Sequence, residues 1–193
     1  QGWIPVGDAA FGAADMDEQL ALMLATATGL VPRGISTKIV IPNSQILYTT
    51  VTVAGATDDE KRTEIRAALA GRTPYEVDEL AFDWSGDGPD VQVAVVAQET
   101  LDEAEGFAVQ YSFRPLSFVA IPAEGSFAGE PMFGETKFAP SVLGKGKRLQ
   151  RDAEPITVIA PVPASEPERP LAEAQLPEPE PMPEPMPEKT RAA

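Results

Sequence analysis

The chain has 193 residues, 43% of them hydrophobic and 23% charged, and its 15 basic residues against 30 acidic ones give a formal net charge of -15. It has no cysteine and no histidine, which removes disulfides, thiolate nucleophiles, Cys or His metal ligands and any His-based triad. Negative charge on this scale repels nucleic-acid phosphates, so no nucleic-acid partner is expected. No apolar run approaches the roughly 20 residues of a membrane helix.

The chain opens on Gln1 with no Met, no basic n-region and no apolar h-region, and we expect an upstream portion to be missing. "DMDE", Asp15 to Glu18, is a capping pattern that predicts a helix with Leu20, Met23, Leu24 and Ala27 on one face, stopped by Gly29 and Pro32. "STKIVIP" predicts a short strand closed by Pro42. "QILYTTVTV" predicts a β-branched strand with one apolar-leaning face. "TDDE", Thr57 to Glu60, is a second capping box; Ile65, Ala68 and Leu69 form the face of its helix and Gly71 its C-cap.

After that helix, "ELAFDW" alternates Leu80, Phe82 and Trp84 against Ala81 and Asp83, which predicts a strand. "SGDGPD" suits a hairpin loop, and "VQVAVVAQ" has the continuous apolar character of a central strand. "TLDE", Thr100 to Glu103, predicts a third helix with Leu101, Ala104, Phe107, Ala108 and Tyr111 on one face. Its expected buried face packs on the sheet carrying Phe82, Val93 and Val95, with Glu105 on the opposite, exposed side. "PLSFVAIP" gives a last strand ending at Pro122. This order predicts an α+β fold, a small mixed sheet with helices packed on it.

Beyond Pro122 the secondary-structure signal fades. "FAGEPMFGET", with Phe127, Met132 and Phe133 and followed by Phe138, either folds back over the sheet or stays exposed as a docking patch. "GKGKRLQR" concentrates Lys145, Lys147, Arg148 and Arg151; it reads as a junction balancing the acidic tail, or as a contact for an acidic partner or lipid headgroups. From Asp152 onward stand eleven of the chain's 20 prolines, interleaved with carboxylates, a composition that predicts a disordered, acidic Pro-rich linker over 152–193.

No constellation declares a reaction. Asp58, Asp59 and Glu60, and separately Asp87 and Asp90, lack the ligand spacing of a calcium loop and suit caps and turns better. "DWSG" and "GKGK" lack the spacing and hydroxyl of a phosphate-binding loop. No catalytic, cofactor-binding or metal-ligating residue is therefore expected, and the partner-contact candidates are Lys145, Lys147, Arg148, Arg151, Phe127 and Phe133.

The blocks "KIVIPNSQILYTTVTV", "TPYEVDELAFDW" and "VQVAVVAQETLDEAEGF" resemble, over roughly 36–122, the actin-like scaffold proteins of bacterial envelope machines. These are PilM-like type IV pilus proteins, the cytoplasmic domain of the type II secretion L protein (GspL-like) and, more distantly, FtsA. The resemblance implies a partial actin-like, ribonuclease H-like lobe over 1–45 and an inserted strand-helix-strand-strand-helix subdomain over 46–113. A return strand and aromatic loop over 114–151 would precede the tail. It also implies a non-enzymatic scaffold acting through a protein partner in the cytoplasm, at the inner face of the cell envelope. "VGDAAFGAAD" does not have the order of the family's nucleotide-binding hairpin, so no nucleotide cofactor is implied; the alternative is a fragment of an actin-like ATPase. The chain is also similar to alphaproteobacterial proteins labelled translation initiation factor 2, but it lacks the motifs of a GTPase domain.

Overall fold

A computed structural model describes residues 3, 5–31, 35–144, 146–152 and 154–157. All belong to the compact unit Gln1–Ile159; the second unit, Ala160–Ala193, lies outside them, and with it most of the expected linker. The elements run α1 (Met16–Leu30), β1 (Thr37–Val40), β2 (Leu47–Thr52), α2 (Asp58–Leu69), β3 (Leu80–Ser85), β4 (Asp90–Ala97), α3 (Gln98–Gln110), β5 (Pro115–Val119), β6 (Met132–Glu135) and α4 (Ala139–Leu143).

The class is α+β, and the strands divide between two three-stranded sheets. One has the order β1-β5-β6, with β1 parallel and β6 antiparallel to β5. The other, β2-β4-β3, is antiparallel throughout. The parallel β1–β5 pair needs a crossover, and the whole run from β2 through α3 supplies it. β4 sits between two neighbours and is buried on both faces from Val93 to Ala97, which its continuous apolar run requires.

Side-chain alternation along β4 builds two cores. Val91, Val93 and Val95 point with Val51, Val53, Leu80 and Phe82 toward Ile65 and Leu69 of α2. Ala94 and Val96 point the other way, with Ile41 and Ile46, toward Leu101, Phe118, Phe127 and Phe133. The helices therefore do not share one face of one sheet. α2 covers Phe82, Val93 and Val95, while α3 belongs to the second core. That corrects the expectation that Leu101, Phe107 and Tyr111 pack on Phe82, Val93 and Val95.

The phase of α3 differs as well. Its buried residues are Leu101, Glu105 and Ala108, one stripe at i, i+4 and i+7. Phe107 and Tyr111 are half-buried toward the N-terminal segment, where Phe107 stacks on Phe11 at 5.0 Å and the Tyr111 hydroxyl donates to Asp17 at 2.6 Å. Glu105 is therefore an inward residue.

The caps divide in the same way. Thr57 and Glu60 close a true capping box: the Thr57 side chain accepts from Glu60 N, and the Glu60 carboxylate accepts from Thr57 N at 3.0 Å. Gly55 presses so close that an alanine Cβ there would stand 2.5 Å from the Glu60 Cβ. The C-cap of α2 is Ala70, and Gly71, at φ +72, is instead the left-handed residue of the tight turn in which Arg72 N donates to Leu69 O at 3.0 Å. Asp15 makes no cap bond to the backbone of α1; its carboxylate accepts from Gln19 Nε2 instead. Thr100 lies inside α3, which starts at Gln98, so "TLDE" is no cap.

Candidate interaction surface

Five polar residues are buried among the described residues, Asp83, Glu105, Ser117, Glu130 and Thr136, and all but Ser117 tie the C-terminal segment to the body. Asp83 stands on the face of β3 opposite Phe82, accepts from Met132 N at 2.8 Å and pairs with Arg151 at 2.5 Å. Glu105 accepts from Phe138 N at 2.8 Å and Lys137 N at 3.1 Å, serving amides at the entrance to α4. Glu130 accepts from Lys38 Nζ at 2.6 Å and Ile156 N at 3.1 Å. Thr136 donates to Pro115 O and accepts from Ala139 N. Ser117 Oγ has no hydrogen-bond partner in the structure.

Residues 149–152 and 154–157 form a strap held by hydrogen bonds and ion pairs. Leu149 N donates to Glu135, Arg151 binds Asp83, Asp152 binds Lys38 at 2.7 Å, and Trp3 N donates to Thr157 O. Burial alone would lower the Lys38 pKa, but its hydrogen bonds to Asp152 and Glu130 outweigh that and hold the ammonium above its usual range. The composition change at Asp152 is thus not where packing stops.

Next to the strap lies an open groove of about 540 Å³ along the edge of β6, lined by Met132, Glu135, Pro140, Lys147, Arg148 and Leu149. Lys147 and Arg148 are exposed, and no ion pair reaches them among the described residues. A depression of about 610 Å³ between the run after α2 and α3 is acidic, lined by Asp78, Glu79, Asp102 and Glu103 among others. Its charge is partly met from outside: Asp78 pairs with Arg66, and Asp102 with Lys137 at 2.8 Å. The Lys137 hydrogen bond, followed by that from Gln98, holds the Asp102 carboxyl below its usual range.

The expected contact residues separate. Phe127 and Phe133 are 5% and 8% exposed and fill the second core, so the aromatic run folds back over the sheet and is no docking patch. Its Phe and Met spacing is strand-like only over four residues, which is why β6 escapes the sequence. Arg151 is engaged by Asp83. Lys147 and Arg148 reach the groove, and Lys145 lies outside the described residues. Asp83 and Glu105 carried a signal in the sequence, because each sits at the period of a buried face; Lys38 and Glu130 carried none.

Trp84 of β3 lies under the Arg62 guanidinium at 4.8 Å, and Tyr75, in the run between α2 and β3, is 39% exposed. Asp90 of the hairpin accepts from Thr52, and Glu60 caps α2, so these carboxylates have structural partners. Among the described residues no helix is long and apolar enough to cross a membrane.

No family profile matches the chain, and no curated protein does. Among solved structures the chain is similar to the cytoplasmic domain of EpsL, an inner membrane component of the type II secretion system of Vibrio cholerae. That likeness has a TM-score of 0.44 and 14% identity, and covers 77% of this chain and 69% of that one.

Proposed function

We propose that the chain is a non-enzymatic scaffold or adaptor domain that works by binding other proteins. Its docking face is the groove along β6, and an acidic protein segment is the ligand that fits it. The observation that carries this is the pair Lys147 and Arg148, exposed on a groove in a chain of net charge -15 and in no ion pair among the described residues, while Glu135, the carboxylate that lines the same groove, accepts from Leu149 N at 2.7 Å. The buried carboxylates support it from the other side. Asp83, Glu105 and Glu130 each accept from main-chain amides or pair with a cation, so they hold the fold together and do not converge on a reacting atom. A setting at the inner face of a bacterial envelope rests on the phrases over 36–122 that resemble actin-like scaffold proteins.

Photo-crosslinking in cells tests the proposal, with the reactive residue placed at Lys147 and, as a control, at Glu103 on the exposed side of α3. A defined protein adduct from position 147, absent from 103 and lost on Arg148→Glu, is the expected result. Saturable binding of Mg-ATP at unit stoichiometry by calorimetry, or equal adducts from both positions, would overturn it.

A further inference from the structure

β2 is an outer strand of its sheet, and its hydrogen-bonding pattern leaves a free edge. Val53 N donates to Pro89 O at 2.6 Å, in the same register that opposes Val51 to Val91, Thr49 to Val93 and Leu47 to Val95. Hydrogen-bonded pairs in an antiparallel ladder recur every second residue, so these odd-numbered positions direct their N–H and C=O groups at β4. The even-numbered Tyr48, Thr50 and Thr52 direct theirs outward. Among the described residues no hydrogen bond reaches those outward main-chain groups.

Free edges are usually blunted by charge, proline, a bulge or a covering loop. β6 is blunted: Asp83 takes Met132 N and the strap crosses at Leu149. β1 carries Lys38 with its two carboxylate partners. β3 carries Asp83, with Glu79 before it and Asp87 after it. β2 has none of these devices. Its pairing with β4 shows no register shift, it contains no proline, and no charged residue occurs from Ile39 to Thr57 although 23% of the chain is charged.

We infer that β2 is a self-association edge, pairing antiparallel with β2 of a second copy of this chain about a twofold axis at Thr50. In that register Thr50 faces its counterpart, Tyr48 faces the partner's Thr52, and every outward amide and carbonyl of these residues finds a complement. The intervening positions oppose Thr49 to the partner's Val51, a neutral β-branched pair that suits a sheet face. A copy is its own best complement here, because an uncharged strand offers a charged foreign segment nothing to pair with. The two bodies, each at -15, repel, so the edge must be where charge is absent, and β2 is that place. Arg72, whose Nη1 reaches Thr49 Oγ1 at 3.4 Å, and Asp90, which accepts from Thr52, are the charged groups flanking the edge. This inference does not depend on the groove or on the adaptor role.

Sedimentation of the full chain over a concentration series tests it, at about 0.05 and 0.5 M salt. The expected result is a monomer–dimer equilibrium that shifts toward dimer at the higher salt, as screening removes the repulsion of like bodies. Thr50→Pro removes an outward N–H that β4 does not use, so the fold is retained by circular dichroism while the dissociation constant rises by roughly tenfold or more. Thr50→Lys places like charges across the axis and acts in the same direction, and Thr50→Val leaves the dimer in place. The chain has no native cysteine, so Thr50→Cys treated with a short bis-maleimide reports the register directly: covalent dimer from position 50 and none from Asp87→Cys. A monomer at every concentration, or a dimer unmoved by both Thr50→Pro and Thr50→Lys, overturns the inference.

Discussion

Glu105 is the residue at which the structure and the helical pattern of the sequence part most sharply, and substituting it decides between them. It is 7% exposed, and its two carboxylate oxygens accept from Phe138 N at 2.8 Å and Lys137 N at 3.1 Å. Glu105→Ala removes both acceptors at once. An amide left without a partner away from water costs about 1 to 3 kcal/mol, and because these two are only part-buried their sum should be about 2 to 4 kcal/mol. That is a large share of a stability that is usually about 5 to 15 kcal/mol. Glu105→Gln keeps one carbonyl acceptor and should lose roughly half as much, about 1 to 2 kcal/mol. Glu103, exposed on the same helix, should tolerate Ala within about 0.5 kcal/mol. Leu101→Ala, at a position 1% exposed, should cost about 2 to 5 kcal/mol, whereas Phe107→Ala, half-buried against Phe11 and Tyr111, should cost about 1 to 2 kcal/mol. Urea unfolding followed by tryptophan fluorescence, with the denaturant slope checked for constancy, gives all of these values. Equal losses for Glu105→Ala and Glu105→Gln would show that the charge matters there and not the number of acceptors, since Gln keeps the volume of Glu and one of its two acceptors. A neutral Glu105→Ala would refute the assignment of the inner face of α3.

Thr57→Ala should cost about 1 kcal/mol by opening the capping box of α2. The backbone hydrogen bond from Thr57, followed by that from its side chain and by Ala56 N, lowers the Glu60 pKa below its ordinary 4.5, so the cap's stabilisation is fully present above that value and is lost as pH falls through the depressed folded pKa. Acid melts of Glu60→Gln should therefore lack that part of the pH dependence, and an unchanged acid limb would contradict it. A chain ending at Gln150 lacks Arg151 and Asp152 and should be less stable than one ending at Thr157 by about 3 kcal/mol, because it leaves Asp83 without its cation and takes a carboxylate from Lys38; coincident urea midpoints would sink that expectation.

Element type was legible wherever periodicity and punctuation agreed. "VQVAVVAQ" has to be an inner strand because both of its faces are apolar, and "TDDE" caps a helix because Thr57 and Glu60 stand at the reciprocal spacing. The face of α3 was misread because Phe107 and Tyr111 are large and Glu105 is charged, and residue type outweighed the Leu101, Glu105, Ala108 spacing. Burial of Glu105 depends on amides more than thirty residues away, at Lys137 and Phe138, and no local pattern encodes them. The turn from α3 into β5 was equally hidden. Ser112 adopts a left-handed conformation at φ 63, and Phe113 N reaches back to Ala108 O in the closure usually made with glycine, which this turn lacks. The groove escaped for the same reason: Lys147 and Arg148 were visible as a basic run, but the edge of β6 beside them comes from a strand four residues long.

The two surfaces respond to salt in opposite directions, and that makes them separable in one titration. Binding of an acidic segment by Lys147 and Arg148 gains from unscreened attraction, so it weakens as the Debye length falls from about 10 Å at 0.1 M toward about 3 Å at 1 M. Pairing of uncharged β2 edges is opposed by the repulsion of two bodies of charge -15, so the same screening strengthens it. A partner captured only at low salt by the monomer therefore belongs to the groove, and Thr50→Pro should leave it bound. A complex that grows with salt and disappears in Thr50→Pro belongs to the β2 edge, and Arg148→Glu should leave it intact. Each variant is the control for the other. Loss of both interactions in either variant would mean that the groove and the edge are coupled through β4 and β3, which connect β2 to Asp83 and hence to the strap beside Lys147.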